Sequence, residues 1–463
     1  MKILKRNSHY LFDVFAFVSV FLTFPLFFYK LGQTSLTSWD EAWYAEVARN
    51  MLKTGDIINM SWNNHLYNDH PPAGYWIMAF FYQIFGVNEF WTRFPSALAG
   101  IISMLLLYFL GKKLFNPLVG LVSSIALSSA IWFIYRSRLG DLDILLTMFF
   151  LLTILLAIKA YENKKFIFPL AISITLLFLT KTMVPLVIIP LLIFIFYKNK
   201  LYKWYEFILP ITLILVVAGG WFTTQIFQDD NFIHDSLGIG LRGMNLKSNY
   251  LDNINLAKEY LHSGIGKWFW PGIASIFLSV FLKQKRFFLF TFFFVCFMLP
   301  IIFSPKIQIW HLIPMFPILI LVYFGFVYVI LEKYLKHFKY QIFAIFIFFN
   351  SIIYFNQVKM IWYQFIDIPA FVSDEAILSK EAGKYPQHLN IDGVFMPTAI
   401  FYSEKGTVNQ IQIERLNSLL NSNEEFLLIT RKGNLINNKE ISEKSFQILK
   451  EDRDKVLILH KPL

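Results

Sequence analysis

Apolar runs long enough to cross roughly 30 Å of hydrocarbon recur through the first three quarters of this 463-residue sequence. Their spacing predicts about eleven spans, with a range of roughly ten to thirteen. They fall near residues 10–29, 92–111, 117–135, 142–160, 165–181, 183–197, 206–224, 268–282, 287–303, 311–331 and 339–357. The fifth and sixth are short and barely separated. The first is too long for the apolar part of a cleaved signal, is flanked by Lys30 and lacks a small-residue cleavage site. With 56% hydrophobic and 19% aromatic residues, most side chains must meet lipid or one another, so the chain is an integral membrane protein.

Lys and Arg fix the expected orientation. Lys2, Lys5 and Arg6, then Lys112/Lys113, Lys164/Lys165, Lys198/Lys200/Lys203, Lys283/Lys285/Arg286 and Lys333/Lys336/Lys339 all fall on one side, which the positive-inside rule makes the cytoplasm. The net charge of +11 is then mainly a topology signal, and no nucleic-acid partner is expected. Cys296 is the single cysteine and lies in a span, so it forms no intrachain disulfide. The opposite side receives the loop 30–91, the turn Tyr135–Asp143, Thr180–Thr182, the loop 225–267, the turn Ser304–His311 and the tail. Two domains are expected: membrane-spanning residues 1–357 and a small extracytoplasmic α/β domain over 358–463, where short apolar runs such as "FLLIT" and "KVLIL" alternate with helix-like segments.

The first outer loop opens on "SWDEAWYAEVARNMLKTGD". Ser38 with Glu41 makes a capping-box pattern and Gly55 a C-terminal stop, which predicts a helix over 39–54. Trp39, Trp43, Val47 and Met51 recur at helical spacing and would form an apolar stripe on the membrane surface. On that reading Asp40 and Glu41 merely suit the helix dipole. Downstream, "YNDHPPAGYW" places Asp69 and His70 before a rigid Pro pair, so two acidic sites are pinned near one surface.

Together "DEAWYAEVARNML", "YNDHPPAGYW", "RFPSALAG", "RSRLGDLDILL", "FLTKTMVPLVIIP" and "SPKIQIWHLIPMFPIL" resemble glycosyltransferase family 39, the protein O-mannosyltransferase-like group, and within it the lipid A aminoarabinose transferases. The resemblance covers roughly residues 10–330 in consistent order. It implies an α-helical polytopic GT-C fold and an enzyme, a glycosyltransferase that moves a sugar from a polyprenyl-phosphate donor to a lipid A-like glycolipid, a glycan or a protein hydroxyl. It also implies a bacterial cytoplasmic membrane location with the active site outside. Displacement at the anomeric carbon needs a base for the acceptor and positive charge for the departing phosphate. Asp40 matches the family's catalytic acid and is the expected base, with Asp69 and Asp143 as further catalytic carboxylates and Glu41 as the capping partner. Substrate contacts are expected from Glu41, Tyr44, His70, Arg138, Lys181, Lys306 and His311, Lys306 foremost among the cations. Each could instead be a snorkelling or interfacial residue.

"GDLD" offers Asp141 and Asp143 as a DxD, but that metal motif belongs to nucleotide-sugar enzymes and would face the wrong compartment here. The family pattern matches Asp143, whose expected task is orienting Arg138 or another loop residue. No cofactor is expected. Asp69, His70 and His262 are of types that suit zinc, although their spacing is not diagnostic. Asp69-His70 and Trp43 depart from the aminoarabinose transferases, which leaves the acceptor and the sugar open. Trp39, Trp43, Trp62 and Trp76 could stack on a sugar or anchor at the interface. The competing class is a polyprenyl-linked sugar flippase or transporter, for which ionisable residues near the middle of the spans would be expected.

Overall fold

The computed structural model describes residues 2–37, 40–197, 199–234, 250–304, 307–392, 396–412, 419, 422–436 and 446–461. Among them eight helices are long and apolar enough to cross a membrane, and the bent pair Pro117–Leu127 and Ile131–Ser137, which meet at 68°, raises the number to nine. The difference from eleven lies in residues 165–181 and 183–197. There the α-helices Ile167–Phe178 and Ile188–Phe196 are only 12 and 9 residues long, each led by a 3-10 turn. Hydropathy marks these stretches as apolar, and the helices they form are too short to span unaided. The chain is a multi-span, mostly helical membrane protein.

Contacts divide the chain into two compact units. One holds residues 1–30, 68–74 and 94–368; the other holds 31–67, 75–93 and 369–463. Within the first, Met315–Tyr334 is buried over most of its length, as a helix that is apolar all round must be. Its Gly325 lies where a Cβ would come within 2.5 Å of the Phe115 ring. Lys30 reaches Asp367 at 2.7 Å, tying the end of the first span to the end of the last.

In the second unit a five-stranded sheet runs in the order Val408–Gln410, His388–Ile391, Phe426–Arg431, Lys455–His460, Phe446–Asp452. His388–Ile391 is parallel to both neighbours, whereas the last two pairings are antiparallel. Leu427, Leu428, Ile429, Leu457 and Ile458 are fully buried, so both faces of the central strands are covered. The helices Asp374–Ala382 and Met396–Ser403 supply part of that cover and pack on each other.

The loop helix belongs to this unit as well. It runs Asp40–Thr54 and ends at Gly55, whose φ of +73° and N–H bond to the Met51 carbonyl make the expected stop. Ser38 and Trp39 lie outside the described residues. Where an apolar stripe on the membrane surface was expected, Val47 and Met51 are buried and Trp43 stacks on Trp62 at 4.3 Å, so the stripe meets protein.

Candidate active site

In the membrane unit a buried charge network forms where "YRSRLGDLD" turns into a span. Asp143 opens the helix Asp143–Glu162, where a carboxylate suits the dipole, and its N–H donates to Asp141 Oδ1 at 3.1 Å. Asp143 Oδ2 accepts from Arg136 Nη2 at 2.6 Å, and Oδ1 accepts from Lys181 Nζ at 2.5 Å. Arg136 Nε pairs with Asp141 Oδ2 at 2.6 Å, and its guanidinium lies 4.9 Å over the Trp310 ring. Two carboxylates thus face two cations, all four groups buried. That balance is what makes such burial tolerable, since an unmatched ion there would cost several kcal/mol.

His70 lies just before the Pro pair and feels the charges of Lys181, Asp143 and His311. Burial lowers its pKa to about 3, with Lys181 acting in the same direction, so the imidazole is neutral near pH 7. Pro71 and Pro72 lead into the helix Ala73–Phe85, whose first N–H is taken by the Leu179 carbonyl at 2.9 Å, two residues from Lys181. Gly74 permits that approach: a Cβ there would lie 2.1 Å from Leu142 Cδ2. Asp69 is half-buried beside His70. The structure thus brings Asp143, Lys181, His70 and His311, each a separate candidate in the sequence, close enough to influence one another.

Arg138, also expected to contact the substrate, is tied to the backbone of the first span. Its guanidinium donates to the carbonyls of Leu26 and Phe27, each at 3.2 Å, and of Tyr29 at 2.8 Å, the oxygens that end the first span. Asp143 is matched by Arg136 and Lys181. Arg136 was missed in the sequence, although "RSR" offered both arginines. Lys306 lies outside the described residues.

The second unit holds Asp40, Glu41 and Tyr44. Asp40 is the first residue of its helix and is half-buried. Glu41 is 1% exposed, and its Oε2 accepts the Thr37 N–H at 2.7 Å; its expected capping partner Ser38 lies outside the described residues. The same carboxylate is gripped by Arg93, with Nε to Oε1 at 2.6 Å and Nη2 to Oε2 at 3.0 Å. Arg93 also donates to the carbonyls of Leu31, Thr34 and Ser35. Sequence reading passed over Arg93, the first residue of "RFPSALAG"; its place in a motif was the only signal. Tyr44 is buried edge-on to Tyr75, ring centres 5.5 Å apart. Among the described residues no three His, Cys, Asp or Glu side chains gather closely enough to share a metal ion.

The family model described as dolichyl-phosphate-mannose-protein mannosyltransferase matches residues 69–221. An uncharacterized protein of Aquifex aeolicus is 32% identical over 208 residues, 43% of this chain and 41% of that protein. The undecaprenyl phosphate-alpha-4-amino-4-deoxy-L-arabinose arabinosyl transferase of Aeromonas hydrophila is 40% identical over 95 residues, 20% of this chain and 17% of that enzyme. The chain thus aligns with less than half the length of these relatives. The crystal structure of ArnT from Cupriavidus metallidurans bound to undecaprenyl phosphate superposes with a TM-score of 0.70 at 14% identity, covering 97% of each chain. The Archaeoglobus fulgidus oligosaccharyltransferase follows at 0.57 and 12%, covering 90% of this chain and 67% of that one. The chain has the fold of these structures, the GT-C fold, and is similar over about a fifth of its length to the undecaprenyl phosphate-aminoarabinose transferases.

Proposed function

We propose that this chain is a membrane glycosyltransferase that moves a sugar from a polyprenyl-phosphate donor to an acceptor outside the cytoplasm. The observation that carries the reading is the buried Asp143–Lys181–Arg136 network beside His70 and His311, in a chain of GT-C fold. A lysine ammonium held by a carboxylate at the outer end of a span is suited to meet a lipid phosphate. The relatives named for undecaprenyl phosphate-aminoarabinose support the same class of donor.

In the reaction we infer, the acceptor oxygen attacks the anomeric carbon while Asp40 takes its proton. The bond from that carbon to the phosphate oxygen breaks, and the electron pair leaves with the polyprenyl phosphate. Lys181 and Lys306 meet the charge that develops on the departing oxygen, and Asp143 keeps the Lys181 ammonium in place. Neutral His70 can contact the phosphate or acceptor without adding a second cation. Asp69 lies beside it and serves the acceptor side. The acceptor class is a lipid A-like glycolipid, a glycan or a protein hydroxyl, and the location is the bacterial cytoplasmic membrane.

Mass spectrometry of cell-envelope glycolipids and glycoproteins, with and without the gene, tests the reading. A sugar that disappears from one species on deletion and returns with the wild-type gene names both sugar and acceptor. An unchanged envelope under conditions in which the chain is made would overturn the reading.

A further inference from the structure

The short leader into Asp40 is held by the sheet domain as well as by Arg93. Ser35 N–H donates to the Phe371 carbonyl at 2.9 Å, and Ser35 Oγ accepts the Ser373 N–H at 3.0 Å. Leu36 N–H donates to the Tyr402 hydroxyl at 2.7 Å, and that hydroxyl donates to Glu89 at 3.0 Å. Leu36 is 2% exposed and Tyr402 6%, so this bond is shielded from water and gains strength from the low dielectric around it. Lower on the same helix, Arg49 pairs with Glu46, donates to the Ile400 carbonyl at 3.4 Å, stacks on Phe401 at 4.6 Å and reaches Glu404 at 3.5 Å. Ile400, Phe401 and Tyr402 all belong to Met396–Ser403, the helix that covers the sheet.

We infer that the C-terminal sheet domain positions the Asp40 carboxylate, with Tyr402 as a positioning residue that acts on Asp40 through the Leu36 backbone. The inference rests on the proposed role of Asp40 as base. One side of the leader is fixed by Arg93 and Glu41, the other by Tyr402, Phe371 and Ser373. Only three residues separate Leu36 from Asp40, and a helix start held from both sides cannot swing its first side chain far. A displacement of about 1 Å at a reacting group costs on the order of a hundredfold in rate, which gives such bracing a direct effect on turnover.

Tyr402→Phe removes the hydroxyl and leaves the ring. In the full-length chain, hydrogen exchange over residues 31–42 should quicken, and turnover of undecaprenyl-phosphate aminoarabinose, or of the undecaprenyl-phosphate sugar the wild type uses, should fall about ten- to a hundredfold at unchanged KM for that donor. The double variant Asp40→Asn/Tyr402→Phe should be no slower than Asp40→Asn alone, because a residue that acts only through Asp40 has nothing left to position. An additive loss in the double variant, or wild-type turnover in Tyr402→Phe, overturns the inference. Wild-type turnover in Asp40→Asn alone overturns the assignment of the base instead. If Tyr402→Phe fails to fold, Ser35→Ala, which removes only the contact with Ser373 N–H, is measured against the same two criteria.

Discussion

Asp143 matches two cations at once, and the consequences begin with its charge. Asp143→Asn removes the carboxylate that Arg136 and Lys181 share, and breaking a buried pair in this way costs about 3–5 kcal/mol. Thermal unfolding in detergent should show a correspondingly lowered midpoint. His70 gives a pH dependence of known sign. Its folded pKa of about 3 lies below the usual histidine value of about 6.5, so between the two the unfolded chain binds a proton that the native chain does not. Stability from this residue is complete above about pH 6.5 and is lost as pH falls from there toward 3. Melting temperatures across that range should decline in the wild type and decline less in His70→Gln. At this scale the sequence offered Asp143, Lys181, His70 and His311 as separate candidates, and a loop residue as the partner of Asp143; that Arg136 is that residue and that Lys181 joins it is visible only in the structure. Arg136 and Arg138 are two residues apart, and only the course of the turn decides which faces Asp143 and which faces the carbonyls of the first span.

Elements explain the surroundings of Asp40. The helix Asp40–Thr54 was legible from its acidic start and from Gly55, because caps are local. What it packs on was not, since Arg93 lies 52 residues beyond Glu41 and its bond to that carboxylate depends on tertiary folding. Arg93→Ala should lower stability by about 3–5 kcal/mol, because Glu41 would be left charged and buried. Adding Glu41→Gln should recover part of that loss, and chemical denaturation of the single and double variants checks it. The short helices Ile167–Phe178 and Ile188–Phe196 escaped prediction for a related reason. Hydropathy counts apolar residues and is blind to where a helix stops, so an apolar stretch interrupted by 3-10 turns reads as a full span.

At the scale of the whole molecule, the alternation of Lys-rich connections sets the expected topology, with Asn199 inside and Asn409 outside. In a Cys296→Ser background, an impermeant thiol reagent should label Asn409→Cys in intact cells and Asn199→Cys only after the membrane is breached. The tail was recognisable as a small α/β domain from its alternation, while its sharing of a unit with residues 31–67 and 75–93 joins segments some 300 residues apart that no local pattern links. That unit carries Asp40, on which the proposed reaction depends. The most direct test is transfer by the purified full-length chain given an undecaprenyl-phosphate sugar, with released undecaprenyl phosphate and donor binding measured side by side. Asp40→Asn should cut release by about 10² to 10⁴-fold while binding the donor as the wild type does. Release at the wild-type rate from Asp40→Asn, with Asp69→Asn inactive, would contradict the assignment of Asp40 as the base.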